Sequence, residues 1–240
     1  MSDLPMFFVV GIPRSGTTWL AAFLASMNRD WLMVHEAHKM DYDVSRIAAF
    51  QPWQAEGYVF GARRLRVLDY IERKKPNAIG YGEVTPRVYY FTDSIRKCYP
   101  DAKYVHLVRD PRKAVVSLMN YGYFAGDRGR LHRRMSPDSG KWQKHVRAAW
   151  GWAYGHYCVR RSIEKFVRLE DILSDFDEMK KLTDFLEIEC DRAHWEKRRV
   201  KKVNVSNPTH PEYQKWSPQW RRDFRAMCGA EARQYGYLAD

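Results

Sequence analysis

The chain has 240 residues, of which 45% are hydrophobic, enough for the core of a single α/β domain over residues 1–240. No stretch approaches the ~18 consecutive apolar residues of a membrane helix, so a membrane span is excluded as the organising feature. The net charge of +12 favours anionic partners, such as nucleotides, acidic or sulfated sugars, nucleic acid or anionic lipid, without choosing among them.

The cysteines indicate a reducing environment. Cys98, Cys158, Cys190 and Cys228 are scattered and lack the C-x-x-C spacing of redox and zinc motifs. The N-terminus has no basic segment before its first apolar run, so no signal peptide is expected. We therefore expect reduced thiols and a cytoplasmic protein.

The first predicted elements are a strand, a glycine-bearing loop and a helix. Residues 6–10 are a continuous apolar run, which suits a strand buried on both faces of a parallel sheet. Gly11 and Gly16 lie in the loop, and residues 20–27 predict the helix. In this order the loop N–H groups and the helix N-terminus converge on one point, which predicts an anion site.

The loop nearly fits the nucleotide-binding pattern G-x-x-x-x-G-K-[ST]. Gly11, Gly16 and Thr18 are in place, but Thr17 stands where the pattern has lysine. The positive charge is instead at Arg14, inside the loop. The sequence therefore predicts a site for a single phosphate-like group beside an arginine, rather than for a nucleoside triphosphate with Mg²⁺.

Titratable side chains follow the second predicted strand, residues 31–34. They are His35, Glu36 and His38. Open α/β sheets bind ligands at the carboxyl ends of their strands, so these residues are candidates for the chemistry. The alternative is a solvated loop, which the spacing alone favours. Residues 43–75 then predict helices.

The third and fourth predicted strands each run into a helix signal. The strands are residues 78–83 and 103–109. A Thr-Pro pair at 85–86 and an Asp-Pro pair at 110–111 each predict a helix start, since Thr and Asp cap helices and Pro suits the first position. Asp110 could also be a magnesium-binding aspartate, but capping is the simpler role.

The rest of the chain predicts a loop, a long helix, a fifth strand and further helices. Residues 122–140 are glycine-rich and basic, and a lid over an anionic substrate and a solvated loop are equally good interpretations. From residue 141 a helix is predicted whose core stripe consists of Trp142, Val146, Ala149, Trp150, Ala153 and Tyr157. Residues 165–169 predict the strand, and residues 179–186 an amphipathic helix.

The loop at residues 13–19, Pro-Arg-Ser-Gly-Thr-Thr-Trp, resembles the 5′-phosphosulfate loop of sulfotransferases that use 3′-phosphoadenosine 5′-phosphosulfate (PAPS). The resemblance implies that Arg14 contacts the phosphosulfate and stabilises the leaving group, and that Trp19 lies against the adenine. It assigns the 5′-phosphate to four consecutive residues, Ser15, Gly16, Thr17 and Thr18. On the residue alone, Trp19 is equally well a core aromatic.

A second segment extends the resemblance. Arg109-Asp110-Pro111-Arg112, with Ser117 in the following helix, is similar to the 3′-phosphate site of the same family. The resemblance implies that Arg109 and Ser117 bind the 3′-phosphate of PAPS, which suits the planar fork of arginine. It covers residues 6 to about 186 and implies a P-loop-like, three-layer α/β/α fold with a central, mostly parallel sheet.

The catalytic base is expected after the second strand. Glu36, His38 and Asp41 reproduce the E-x-H-x-x-D spacing of heparan-type glycosaminoglycan sulfotransferases, in which the glutamate is the base, whereas members acting on phenols and steroids use a histidine here. Alternate strand residues share a face, so Glu36 and His38 are expected to point together and His35 away. We place Glu36 ahead of His38 as the base; the alternative is that Glu36 only pairs with Lys39 or another cation.

Two further segments resemble the family less closely. Residues 82–86 are similar to a G-E-x-[ST]-P segment near the acceptor, with Val84 where many glycosaminoglycan members carry lysine, which disfavours a heparan-like substrate. After residue 186 the match is loose. The candidates for closing the cofactor site there, which stay unassigned, are Lys201, Lys202, Ser206 and Lys215.

These features predict a PAPS-dependent sulfotransferase that needs no metal. It would move a sulfuryl group in line to an acceptor hydroxyl on a carbohydrate or other small molecule, anionic acceptors included, and leave adenosine 3′,5′-bisphosphate (PAP). A P-loop kinase is disfavoured by Thr17 in place of lysine. A basic nucleic-acid-binding protein is disfavoured because the aromatics lie on predicted core faces of helices. The sequence specifies neither the acceptor nor the oligomeric state.

Overall fold

A computed structural model describes residues 4–51, 53–121, 142–200 and 208–238. Five strands form one sheet in the order β2–β3–β1–β4–β5, and every strand pair in the described chain is parallel. The strands are β1 (Met6–Gly11), β2 (Trp31–His35), β3 (Gly80–Thr85), β4 (Lys103–Val108) and β5 (Phe166–Arg168). The predicted parallel α/β fold is confirmed.

Helices connect the strands and cover both faces of the sheet. They are α1 (Thr17–Met27), α2 (Met40–Ala48), α3 (Gln54–Tyr58), α4 (Arg64–Lys74), α5 (Thr92–Cys98), α6 (Pro111–Asn120), α7 (Lys144–Arg160), α8 (Leu169–Ser174), α9 (Phe176–Leu186), α10 (Arg192–Arg199) and α11 (Pro218–Gln234). A π-helical turn (Val59–Arg63) joins α3 to α4, and a short 3₁₀ turn (Tyr213–Lys215) precedes α11. None of the helices in these ranges is long and apolar enough to cross a membrane.

The two layers of helices bury opposite faces of β1. Phe7 and Val9 pack against α1, α8, α9 and α10, while Phe8 and Val10 pack against the remaining helices. This alternation is the period of two expected of a strand buried on both faces. The carboxyl ends of β1, β3 and β4 therefore open at one edge between the layers, where the first loop and the helix α6 begin.

The helix predicted directly after β3 is displaced by several residues. It begins at Thr92, not at Pro86, and turns occupy the intervening residues. Thr85 still accepts a backbone hydrogen bond, from Arg87 N at 3.2 Å, but it closes a turn instead of capping a helix. The side chains of residues 88–91 are all buried, and packing of these apolar and aromatic groups overrides the local Thr-Pro signal.

The core face of α7 also differs from the predicted stripe. Val146 and Ala149 are buried as expected, but the fully buried residues include Trp152 and two histidines, whereas Tyr157 is exposed. Gly155 lies on the buried face, where a Cβ atom would come within 2.7 Å of Ile12 Cγ2. Histidine and glycine are not counted in an apolar stripe, so the buried face is rotated from the predicted one and shares only part of it.

One buried contact in this layer is a pair of neutral histidines. His106 of β4 and His156 of α7 are both fully buried, with Nε2 of the first 2.7 Å from Nδ1 of the second. Burial, reinforced by Arg160, lowers the pKa of His106 to about 3. Burial, reinforced by His106, lowers the pKa of His156 well below its usual value.

We expect this histidine pair to make the fold sensitive to mild acid. In the unfolded chain both side chains take up protons near pH 6.5, whereas in the folded protein they stay neutral, so their contribution is complete above about pH 6.5 and declines as the pH falls below it. The free energy of unfolding should fall by up to about 1.4 kcal/mol per histidine for each pH unit. Urea unfolding between about pH 7 and 5 measures this slope. His156→Gln should flatten it, and an unchanged slope would contradict the assignment.

Candidate active site

An open cleft of about 500 Å³ lies at the carboxyl ends of β1 and β4. It is bounded by the loop after β1, the first turn of α1, one side of α6 and the ends of α8 and α10. Most of the predicted site residues line it. The lining residues that bear on the chemistry are Arg14, Gly16, Thr17, Thr18, Trp19, Glu36, Pro86, Arg109, Lys113, Ser117, Asn120, Tyr121, Leu169, Leu173, Arg199 and Glu212.

The loop after β1 is tightly wound. Ser15 donates from both its backbone N–H and its hydroxyl to the carbonyl of Ile12, at 3.2 and 2.7 Å. A Cβ atom at Gly11 would lie only 2.3 Å from Ser15 Oγ, so glycine is needed there for the close approach. Ser15 was expected to hold the 5′-phosphate, but both of its hydrogen-bond donors bind within the loop and it does not line the cleft. Its role here is to shape the turn.

The N-terminus of α1 faces the cleft. Gly16 has φ of +97°, a left-handed conformation that favours glycine, and no side chain caps the helix. The first N–H groups of a helix have no intrahelical partner, and at an uncapped end they form an anion site. Thr17 and Thr18 add hydroxyls that lie 3.3 and 3.5 Å from Nε2 of His35. The strand, loop and helix arrangement that predicts an anion site is therefore present, and anion binding there stays a prediction.

The two sequence motifs meet across the cleft. Arg14 Nε donates to Ser117 Oγ at 2.8 Å, and Arg109 Nη1 donates to the carbonyl oxygen of Arg14 at 2.9 Å. The guanidinium of Arg14 also lies over the ring of Tyr121, 5.2 Å from its centroid. Residues about a hundred positions apart in sequence thus form one basic cluster beside the N-terminus of α1.

The cluster concentrates positive charge in a partly desolvated place. Burial, followed by the charge of Arg109, lowers the pKa of Arg14. Burial also lowers the pKa of Arg109, against the effect of nearby carboxylates such as Glu170. Both guanidiniums stay charged, because arginine is not deprotonated in proteins. An anion bound between them would relieve their mutual repulsion, so the electrostatics favour an anionic ligand.

Trp19 has properties of both of its predicted roles. It is 9% exposed, stacks on Phe23 with ring centroids 5.2 Å apart, and donates from Nε1 to the carbonyl of Arg198 at 3.2 Å. It belongs to the apolar core on the α1 side of the sheet, and it also lines the cleft. The residue is therefore a core aromatic with one edge available to a ligand.

One face of α6 contributes residues that the sequence analysis missed. Lys113 lies one turn before Ser117, and Asn120 and Tyr121 follow one turn after it. Residues four apart on a helix share a face, so the spacing from Ser117 would have identified Lys113. Asp110 caps this helix as predicted, accepting from Arg112 N at 2.8 Å and pairing with the guanidinium of the same residue.

Glu36 lies at the cleft, but the reason given for its orientation is wrong. The strand β2 ends at His35, so Glu36 and His38 are beyond it and do not alternate on one face. Glu36 has φ of +52° and its carboxylate pairs with Arg87, with Nη2 at 2.6 Å and Nε at 2.9 Å from Oε2. The predicted pairing with a cation is present, with Arg87 rather than Lys39.

His38 points away from the cleft into the core. It is 5% exposed, and its Nε2 lies 3.3 Å from the hydroxyl of Tyr81. Burial lowers the pKa of His38, which keeps the ring neutral. Its placement does not suit a base that must reach an acceptor in the cleft. His35, expected to point away, instead reaches the threonine hydroxyls and lies 3.9 Å from Glu36 Oε1.

A buried ionic network adjoins this segment. Arg63 is fully buried and pairs with Asp41 at 3.1 Å and with Glu83 at 2.7 Å. Burial alone would raise the pKa of Glu83, but Arg63 and His38 hold it below its usual value. The π-helical turn that ends at Arg63 places the guanidinium between the two carboxylates. An arginine in a helical stretch is typical of a surface position, so its burial could not be predicted from the sequence.

The C-terminal candidates are only partly described. Lys215 is exposed and does not line the cleft, and residues 122–140 as well as Lys201, Lys202 and Ser206 lie outside the described residues. Asn120 holds the segment before α11 at the edge of the cleft. Its Oδ1 accepts hydrogen bonds from the backbone N–H groups of Thr209 and His210 at 3.0 and 2.8 Å. Glu212 then lines the cleft.

A known protein family matches nearly the whole chain. A family model described as "Sulfotransferase domain" matches residues 4–225. None of the curated protein sequences gives a significant match.

Solved structures share the fold. The sulfotransferase domain of the Synechococcus PCC 7002 olefin synthase superposes with a TM-score of 0.55 at 17% identity, over 98% of this chain and 96% of that domain. The sulfotransferase domain of the curacin biosynthetic pathway gives 0.58 at 15%, over 99% of each. Mouse sulfotransferase SULT7A1, solved with PAP, gives 0.51 at 14%, over 96% and 85%.

Proposed function

This chain belongs to the sulfotransferase domain family and is a sulfotransferase, and we propose that it moves a sulfuryl group from PAPS to the hydroxyl of a small acceptor. The observation that supports this donor is the contact between the two motifs. Arg14 and Ser117 are hydrogen-bonded, with Arg109 against the same loop, beside an uncapped helix N-terminus. The site thus offers positive charge and free N–H groups for more than one phosphate.

The residues of the cleft fit a nucleotide with phosphates at both the 5′ and the 3′ position. The N-terminus of α1, with Thr17 and Thr18, would hold the 5′-phosphosulfate, since it offers uncapped N–H groups and hydroxyls. Arg109 and Ser117, with Lys113 on the same face of α6, would hold the 3′-phosphate. When bound, PAPS supplies a sulfuryl group that is already attached to a good leaving group.

Two residues would act on the reacting atoms. In the transfer, the acceptor oxygen would bond to sulfur while the bond from sulfur to the 5′-phosphate breaks, and the electron pair of that bond would stay on the phosphate. Arg14 and the N–H groups of α1 lie where they can stabilise that charge, and they are held in place before the reaction begins. The acceptor proton goes to Glu36, which lines the same cleft.

We predict that Glu36, and not a histidine, is the base. Glu36→Gln should lower single-turnover transfer by about 100-fold, the usual lower range for loss of a general base, with PAP binding unchanged. His38→Asn should affect the rate little once the folded fraction is accounted for, since His38 is in the core. His35→Asn tests the third candidate. Near-normal turnover of Glu36→Gln, with loss in either histidine variant, would assign the base to that histidine.

The acceptor of this protein, its other partners and its location in the cell remain proposals. The acceptor would be a carbohydrate or other small hydroxyl compound, and the basic charge allows it to be anionic. A nucleic-acid partner is not expected, and one domain over residues 1–240 remains a prediction. All four cysteines are free in the structure. A cytoplasmic location remains a proposal from the scattered cysteine pattern.

The test is transfer of label from radiolabelled PAPS to a panel of sugars, phenols, peptides and lipids, with excess chelator present. We expect transfer to at least one class, and no loss on chelation, because arginine and backbone N–H groups meet the charge of the leaving phosphate. Label transfer that requires added Mg²⁺ would contradict the metal-independent mechanism, and phosphate transfer from ATP would favour the kinase instead.

A further inference from the structure

The carboxylate of Glu36 is held by Arg87, which lies two residues after the end of the neighbouring strand β3. β2 and β3 are paired so that His35 lies beside Val84, and the chain that leaves β3 therefore passes close to Glu36. Arg87 comes from this segment, which Pro86 and the Thr85 turn hold in place. The side chains of Arg87 and Glu36 are 26% and 30% exposed, so the pair is partly shielded from water at the mouth of the cleft.

Arg87 binds only one of the two carboxylate oxygens of Glu36. Arg87 donates from both Nε and Nη2 to the same oxygen, Oε2 of Glu36. The other oxygen, Oε1, faces His35, whose Nε2 also lies near the hydroxyls of Thr17 and Thr18. With Oε2 held, Oε1 lies on the side of His35 and the first turn of α1, where the reaction would occur.

The backbone of Glu36 needs such an anchor. Its φ of +52° is in the left-handed region, which is unfavourable for a residue with a side chain. A residue held in this conformation keeps it only when surrounding contacts fix it. The hydrogen bonds from Arg87 are charge-assisted and therefore among the stronger contacts available to a carboxylate.

The position of the cation is unexpected from the sequence. Val84 is buried in the core on the α1 side of the sheet. Arg87, three residues later, supplies the positive charge instead. Val84 stands where many glycosaminoglycan members carry lysine, and Arg87 supplies a positive charge near Glu36 in place of that lysine.

We propose that Arg87 is a positioning residue for Glu36: it holds Oε2, so that Oε1 is presented to the proton of the acceptor. This inference rests on the proposed function. It implies that Arg87 contributes to turnover through Glu36 and not by binding the donor or the acceptor itself. The contribution of Arg87 should vanish when the carboxylate is removed.

A double-mutant cycle tests this, with single-turnover release of label from radiolabelled PAPS to water as the assay, so that no acceptor need be known. Arg87→Met should lower the rate at least about tenfold, with PAP affinity within about twofold of wild type. Arg87→Lys should recover part of the rate, since it restores one donor. Arg64→Met, an exposed arginine on α4, is the matched control for loss of charge.

The decisive comparison is in the Glu36→Gln background. Adding Arg87→Met there should change the rate by less than about twofold, because residues that act as a unit are not additive. Equal losses in both backgrounds, or a wild-type rate in Arg87→Met, would overturn the proposal. If Arg87→Met does not fold, the cycle is run with Arg87→Lys. Wild-type protein that passes label neither to water nor to any acceptor of the panel would instead refute PAPS as the donor, which is a separate outcome.

Discussion

Replacing Arg63 by methionine should lower the free energy of unfolding by about 3–5 kcal/mol, the usual cost of leaving buried charges unpaired. The substitution removes the only cation that the described residues bring into contact with both Asp41 and Glu83, which are themselves almost fully buried. Two carboxylates would then remain in a place that water does not reach. Urea or thermal unfolding of the variant measures the loss.

The matched control removes the carboxylates as well. A triple variant with Arg63→Met, Asp41→Asn and Glu83→Gln keeps the shapes of the side chains but leaves no uncompensated charge. It should be clearly more stable than Arg63→Met alone, because the penalty comes from the unpaired charges. Loss of less than about 1 kcal/mol in Arg63→Met would show that the network contributes little.

Replacing Arg14 by alanine should lower kcat by at least about 100-fold, as removal of one donor to the transition state usually does. Arg14 is the charged side chain of the loop that would hold the 5′-phosphosulfate, and its hydrogen bond to Ser117 fixes it at the cleft. Its loss would leave the charge on the departing phosphate to the N–H groups of α1. Single-turnover transfer, with PAP binding measured separately, separates this effect from weaker binding.

Two controls accompany this variant. Arg14→Lys should retain part of the rate, since the charge is kept but the planar fork is lost. Arg225→Ala, an exposed position on α11, removes the same charge far from the described cleft-lining residues and should leave the rate unchanged. A rate for Arg14→Ala within about threefold of wild type would contradict a role in stabilising the leaving group.

Most of the fold could be predicted because its signals are local. The apolar run of β1, the glycines of the loop and the Asp-Pro cap of α6 each depend on neighbouring residues only. The same local reasoning failed after β3, where buried aromatic residues displaced the helix to Thr92. It failed again on α7, where the buried face includes His156. In both places tertiary packing overrides a pattern that is short in sequence.

The candidate site was predicted where each residue's role follows from its motif. Arg14, Arg109 and Ser117, which the resemblance assigned to the cofactor, lie together in the structure, and their binding roles stay predictions. Arg63 and Arg87 could not be found in this way, because their roles depend on partners twenty to fifty residues away. A buried arginine and an exposed one are alike in sequence, and only the paired carboxylates distinguish them.

The segment that contains the candidate base also shows that a spacing pattern does not predict where each side chain lies. Glu36, His38 and Asp41 match a single spacing pattern, yet the structure divides them. The chain turns at Glu36, so that this residue lines the cleft while the other two enter the buried network. Strand alternation predicts a shared face only while the strand continues, and β2 ends one residue too early.

The preference of the site for a 3′-phosphate tests the central claim most directly. Calorimetric titration of the protein with PAP and with AMP compares two nucleotides that share the adenosine and the 5′-phosphate. PAP should bind at least about tenfold more tightly, since each charged hydrogen bond to the 3′-phosphate contributes about 1.5–3 kcal/mol. Arg109→Ala should abolish the preference. Equal affinities of the wild-type protein for PAP and AMP would contradict the assignment of PAPS as the donor.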